Sequence, residues 1–172
     1  MLAVTHVTIS ETLCDVATVH DARRPPAAAA AAPAAAPTPA ADDDGDSYEK
    51  DATYKYKSLI RVHTCNARFV GSVKVAERVT CVCYSSAPEG ISVNCVAAGL
   101  ASGAVRLYSS WDLRRVAFIP PLDRRVPLLS LTYSSDSSLL FGCYADGWCA
   151  AWESGAAGKP APVRMLPAHA LL

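Results

Sequence analysis

Neither sign of charge is in excess: 16 Lys and Arg stand against 16 Asp and Glu. A net charge of zero gives the whole chain no electrostatic pull toward nucleic acid or an anionic membrane. The 7 cysteines include no Cys-x-x-Cys pair, and His6, His20, His63 and His169 fall at no zinc-ligand spacing from them, so no metal site is expected. Also missing are a Gly-x-Ser-x-Gly elbow, a phosphate-cradling glycine loop and a His-Glu-x-x-His pair. No catalytic residue is assigned, and no cofactor is expected. Long apolar runs are absent too, because the alanine tract at 27–36 is short and sits among Pro25, Pro26, Pro33, Pro37 and Pro39, which would break a spanning helix. The start, MLAVTHVTIS, has no basic leader and alternates as a strand does, so no secretory signal is expected.

What remains after the alanine run is set aside is mainly Val and Leu with scattered Tyr, the composition of half-buried strands. An all-β chain is expected. Most of the cysteines (Cys14, Cys65, Cys81, Cys83, Cys95, Cys143, Cys149) lie among Val and Ala and read as small buried hydrophobes in a reducing compartment. Charge is uneven along the chain: residues 1–54 hold 3 Lys or Arg and 9 Asp or Glu, residues 55–172 hold 13 and 7. That division reads as an acidic loop beside a mildly basic, solvated surface.

Four stretches follow from the pattern. Residues 1–21 read as two strands, LAVTHVTIS and CDVATV. Residues 22–53, with their prolines, alanines and acidic DDDGD, cannot bury enough surface to order themselves and are expected to be a disordered insertion between strands of one blade. Counted as a calcium loop from Asp42, that cluster has Ser47 where Gly is needed and Thr53 where Glu is needed, so the match fails. Residues 54–153 carry strand after strand, and 154–172, rich in Gly, Ala and Pro, reads as a flexible tail. The Asp146-Gly147 pair between SLLFGCY and the following strand predicts a two-residue hairpin turn.

The strands repeat. Ile60, Val62 and His63 align with Val105, Leu107 and Tyr108, and these with Cys149, Ala151 and Trp152, at spacings of 45 and then 44 residues. That is the period of the WD repeat. Independently, VTCVCYSS (79–86) overlays LLSLTYSS (128–135). Asp146, Gly147 and Trp152 fit the turn-to-tryptophan spacing of such a repeat; the other copies place Ser102 with Tyr108 and Lys57 with His63. Two nearly complete blades and one partial blade are expected, about three in a partial WD-repeat β-propeller. Such a number should not stand alone, because an open stack leaves an apolar face at each end. The isolated chain is therefore expected to be poorly soluble or oligomeric, with 22–53 cut first by protease.

The segment EGISVNCVAAGLASGAVRLYSSWDLRRVAFI resembles the WD-repeat region at the carboxyl end of BEACH-domain proteins, the neurobeachin and lysosomal-trafficking-regulator family. Glu89, Gly90, Ser92 and Asn94 match its approach, Gly99, Leu100 and Gly103 its turn, and Ser109, Ser110, Trp111, Asp112 and Leu113 its exit. Cys14 and Tyr108 depart from the family's usual Gly and Trp. The pleckstrin-like and BEACH domains that define the family are not in this sequence. The resemblance implies a non-catalytic scaffold that binds proteins and works in vesicle trafficking, lysosomal biology or autophagy. Its expected setting is cytoplasmic, peripheral on the cytosolic face of endosomal or lysosomal membranes, with membrane contact made only through other domains. Its expected partners are proteins, among them the rest of a longer propeller or a BEACH module, and not nucleic acid. Arg114 and Arg115, and Arg124 and Arg125, flank the strand after SSWDL near its opposite ends and are candidate contacts for phosphate or acidic peptide, a solvated surface loop being the other reading. Two alternatives stay open: a WD-repeat adaptor of a ubiquitin ligase or RNA-processing complex, and a hydrolase subunit using His63 and a cysteine.

Overall fold

A computed structural model describes residues 3–10, 13–21, 56–85, 94–122, 125–153 and 162–167. The Ala/Pro/acidic stretch expected to be disordered lies outside them. The described residues form three antiparallel sheets of four strands, each running in chain order. The first contains β1 (Ala3–Ile9), β2 (Asp15–Asp21), β3 (Ser58–Thr64) and β4 (Phe69–Val75). The second contains β5 (Val79–Tyr84), β6 (Cys95–Leu100), β7 (Val105–Ser109) and β8 (Arg115–Ile119). The third contains β9 (Leu128–Tyr133), β10 (Leu139–Tyr144), β11 (Trp148–Glu153) and β12 (Pro162–Pro167).

The sheets stand side by side through their first strands, with β5 against β1 on one side and β9 on the other. Alternation along each strand supplies two faces, and the faces are used in order. Ala17, Val19, Ile60 and Val62 of the first sheet pack on Val79, Tyr84, Val96 and Ala98 of the second. Cys81, Ala97, Val105 and Leu107 of the second pack on Leu131, Leu140, Ala150 and Trp152 of the third. Strand β6, buried along its whole length, is CVAAGL because a strand between two neighbours must be apolar on both faces and thin enough for them to approach.

The repeat is visible in the registers. His63, Tyr108 and Trp152 pair with Val16, Val96 and Leu140, and each sits at a shift in the pairing of the third strand with the fourth. A second shift recurs between first and second strands, at Thr5, Thr80 and Leu129. Thr5 and Thr80 use it identically, each hydroxyl donating to the carbonyl of Val19 or Gly99. A bulge recurring at one register is a built feature of the blade. So is the serine that ends each first strand: the hydroxyls of Ser10, Ser85 and Ser134 accept from the backbone N–H of Leu13, Cys95 and Leu139.

Three expectations need correction. Part of the expected tail, Pro162–Pro167, is a strand paired with β11, so the first and third sheets are as complete as the second and no blade is partial. Prolines suggested a break, but β12 is an outermost strand with one unpaired edge, where proline is tolerated. The β10–β11 turn has three residues, not two. Gly147 donates its N–H to Tyr144 O at 3.1 Å and has φ +80°, the left-handed position that glycine fills without steric cost. Cysteine burial is also mixed: Cys81, Cys83 and Cys95 are buried, but Cys14, Cys65 and Cys143 are exposed and Cys149 is half-buried.

Candidate interaction surface

Antiparallel strands send alternate turns to opposite edges of the row. One edge carries the β1–β2, β3–β4, β7–β8 and β9–β10 turns; the other carries the β6–β7 and β10–β11 turns, the connections between sheets and the departure of the long β2–β3 segment. Hydrogen bonds tie neighbours along each edge, from Cys65 N to Cys14 O and from Ser110 N to Asn94 O on the first, from Ala101 N to Arg78 O and from Ala145 N to Pro127 O on the second.

The β7–β8 turn holds Trp111 and Asp112. Ser109 N donates to Arg114 O and Leu113 N to Ser109 O, while Trp111 N donates to Ser109 Oγ and Arg114 N to Asp112 Oδ1. Leu113, at φ +57°, turns inward: it is buried, and its Cδ1 lies 3.4 Å from where a Cβ on Gly71 would be. This anchor and bracing leave Trp111 outside, 78% exposed. Arg114 pairs with Asp112 at 3.3 Å, and the Asp112 carboxyl is held below the usual carboxylate range chiefly by the Arg114 N–H and next by the Ser109 hydroxyl. A large aromatic beside arginine on a pre-ordered turn is the composition of an interface hot spot.

The four candidate arginines do not form one patch. Arg114 and Arg115 stand at the start of β8 on the first edge, exposed Arg125 lies in the β8–β9 connection on the other, and Arg124 lies outside the described residues. The repeat-motif residues separate as well. Gly103 and Gly147 occupy equivalent left-handed turn positions, and the Tyr144 hydroxyl donates to Gly103 O at 3.4 Å, linking the two sheets. Asp146 does not reach Trp152; it accepts from Trp148 N at 3.3 Å and so closes its own turn. Trp152, fully buried, fills the space against the second sheet. His63, its equivalent in the first sheet, stands edge-on to Phe69 at 5.5 Å on the outward face. Among the described residues no group of three or more His, Cys, Asp or Glu is placed to hold a metal, and no helix is long and apolar enough to cross a membrane.

On the first edge Asp136 closes the β9–β10 turn, its Oδ1 accepting from Ser134 Oγ at 2.6 Å, Ser138 N at 3.1 Å and Ser138 Oγ at 2.8 Å. The Ser134 hydroxyl first, then the Ser138 N–H and hydroxyl, pull its carboxyl down to about 2. A depressed folded value means stabilisation that is present above the ordinary carboxylate range and is lost as pH falls through about 2. Carboxyl titration of Asp136 followed by NMR should show a midpoint below 3.8, moving toward the ordinary value in a Ser134→Ala, Ser138→Ala chain.

Sheets of this topology, repeated at one register and joined through their first strands, define a WD-repeat propeller segment. In fold the chain is similar to Chaetomium thermophilum Sqt1, in a structure of that protein bound to the N-terminus of ribosomal protein L10. The match has a TM-score of 0.59 at 14% identity and covers 94% of this chain and 33% of that one. The chain is homologous over most of its length to the lysosomal-trafficking regulators, which confirms the resemblance to BEACH-domain proteins. It is 31% identical to the Drosophila melanogaster regulator over 154 residues, 80% of this chain, and 41% identical to the human one over 95 residues, 55% of this chain. It spans only 4% and 2% of the length of those relatives. No protein-family model matches the chain.

Proposed function

We propose that this chain is a wedge of a larger propeller in a non-catalytic scaffold that binds proteins through its turns. Its homology to lysosomal-trafficking regulators supports a role in vesicle or lysosomal trafficking or autophagy, on the cytosolic face of endosomal or lysosomal membranes. Contact with the membrane itself would be made by other domains. One observation carries the wedge reading. Val79, Val82 and Tyr84 of β5 pack against the first sheet, and Leu128, Leu131 and Tyr133 of β9 against the second. By register Val4, Val7 and Ile9 are their counterparts on β1, and these are 52%, 59% and 64% exposed. Residues buried or half-buried wherever a preceding sheet exists are bare where none does. A further blade of the same propeller is the occupant that the register fits, since only another first strand would repeat the β1–β5 and β5–β9 contacts.

The exposed Trp111 turn is the proposed protein-binding element, with Arg114 and Arg115 beside it. Partners bound there should be lost on Trp111→Ala while the fold keeps its stability.

The test of the wedge is assembly. The chain alone should self-associate in sedimentation, and Val4→Ser, Val7→Ser, Ile9→Ser together should weaken that association. Fused to the adjoining repeats of a full-length relative, it should sediment as a monomer. An unsubstituted chain that is a concentration-independent monomer would sink the proposal.

A further inference from the structure

Three cysteines are chemically quiet. Cys81, Cys83 and Cys95 are buried, and burial pushes the thiols of Cys81 and Cys95 up to about 11 and raises that of Cys83 as well, away from the thiolate that carries sulfur chemistry. Cys143 and Cys149 differ. They are direct cross-strand partners on β10 and β11, with Sγ atoms 3.2 Å apart. Alternation places them on the face of the third sheet opposite Gly142, Ala150 and Trp152, where Cys143 is exposed and Cys149 half-buried. The three-residue turn creates the pair: a two-residue turn at Asp146-Gly147 would have set Cys143 across from Ala150.

The geometry points to Cys143 and Cys149 as a dithiol site that a small-molecule disulfide, such as glutathione disulfide, converts to an intrachain Cys143–Cys149 disulfide. One thiol gives its proton to solvent, and its thiolate attacks a sulfur of the oxidant. The oxidant's S–S bond breaks, a mixed disulfide forms and one glutathione leaves. The second protein thiol, deprotonated in turn, attacks the protein sulfur of that mixed disulfide and expels the second glutathione. Two protein thiols are oxidised and one glutathione disulfide is reduced to two glutathiones.

The second step is the selective one, because a thiol held in contact by two paired strands has an effective concentration no thiol in bulk solution reaches. Cys149 titrates above the ordinary thiol range, first through its hydrogen bond with Cys143 and then through burial, so exchange should quicken as pH rises. The site does not depend on the propeller reading, since both residues belong to one hairpin of the chain itself.

The test is to equilibrate the full chain with a reduced and oxidised glutathione buffer, alkylate the remaining thiols and map the peptides. The expected result is peptides joined through Cys143 and Cys149, exceeding mixed disulfides at these residues by on the order of tenfold or more. The same linkage should form in a Cys14→Ser, Cys65→Ser chain, which lacks the other two exposed thiols. In Cys143→Ser, Cys149 should instead carry glutathione. Recovery of Cys143 and Cys149 as separate glutathione adducts, or both alkylated in a strongly oxidising buffer, overturns the proposal, and this measurement on the unsubstituted chain needs no variant to fold.

Discussion

Trp152→Ala is expected to cost about 3–5 kcal/mol, the range for emptying an aromatic site in a packed core. The site can collapse only in part. The indole lies over Gly142, where a Cβ would come 2.8 Å from Cζ3 and 2.9 Å from Cη2, so β10 has no side chain under the ring, and Leu140, the direct partner of Trp152, can fill only part of the space. The loss would consume much of the stability of an ordinary domain. Trp111→Ala should stay within about 0.5 kcal/mol, the usual result for a surface substitution, since the turn is held by Ser109, Asp112 and Leu113 and not by the indole. Urea unfolding followed by circular dichroism distinguishes the two. Equal losses would mean that Trp152 does not join the second and third sheets.

That contrast also marks what was legible in the sequence. Spacing picked out Trp152, Tyr108 and His63 as equivalent, and the structure sets all three on third strands opposite Leu140, Val96 and Val16. A period of this kind survives degenerate side chains because strand alternation and the repeated bulge fix which way each position faces, whatever residue fills it. The overlay of VTCVCYSS on LLSLTYSS has the same cause, and it contains Ser85 and Ser134, whose role in ending the first strands shows only in their hydrogen bonds. Two things were hidden. Strand β12 is made by pairing to β11 and not by its own composition, so its prolines masked it. The Cys143–Cys149 pair depends on turn length, and Asp-Gly suits a turn of two residues as well as the end of a turn of three. The separation of the candidate arginines, by contrast, is legible: the pairs flank the strand after SSWDL, and β8 (Arg115–Ile119) sets Arg125 on the opposite edge from Arg114 and Arg115.

Gly99→Ala should destabilise the chain by about 1–3 kcal/mol, as overpacking between well-fitted elements does. Gly99 has no turn to make; it is glycine for want of room. A Cβ there would lie 2.5 Å from Cys81 Sγ and 3.2 Å from both Leu128 Cβ and Leu131 Cδ1, at the seam where β6 meets β9. The worst contact is with a single sulfur, which makes the cause separable. Cys81→Ala removes that atom, together with its weak 3.9 Å contact to Leu128 O, and alone should cost roughly 1 kcal/mol for a small buried group. In the double substitution the new methyl occupies the volume the sulfur left, so the two costs should fall short of their sum by about 1 kcal/mol or more, a coupling typical of residues in contact. The two leucines remain close, and recovery should therefore be partial. Strict additivity in thermal unfolding of the two single variants and the double variant would show that Gly99 is required for some reason other than the sulfur beside it, and the close packing of the second sheet on the third would need another account.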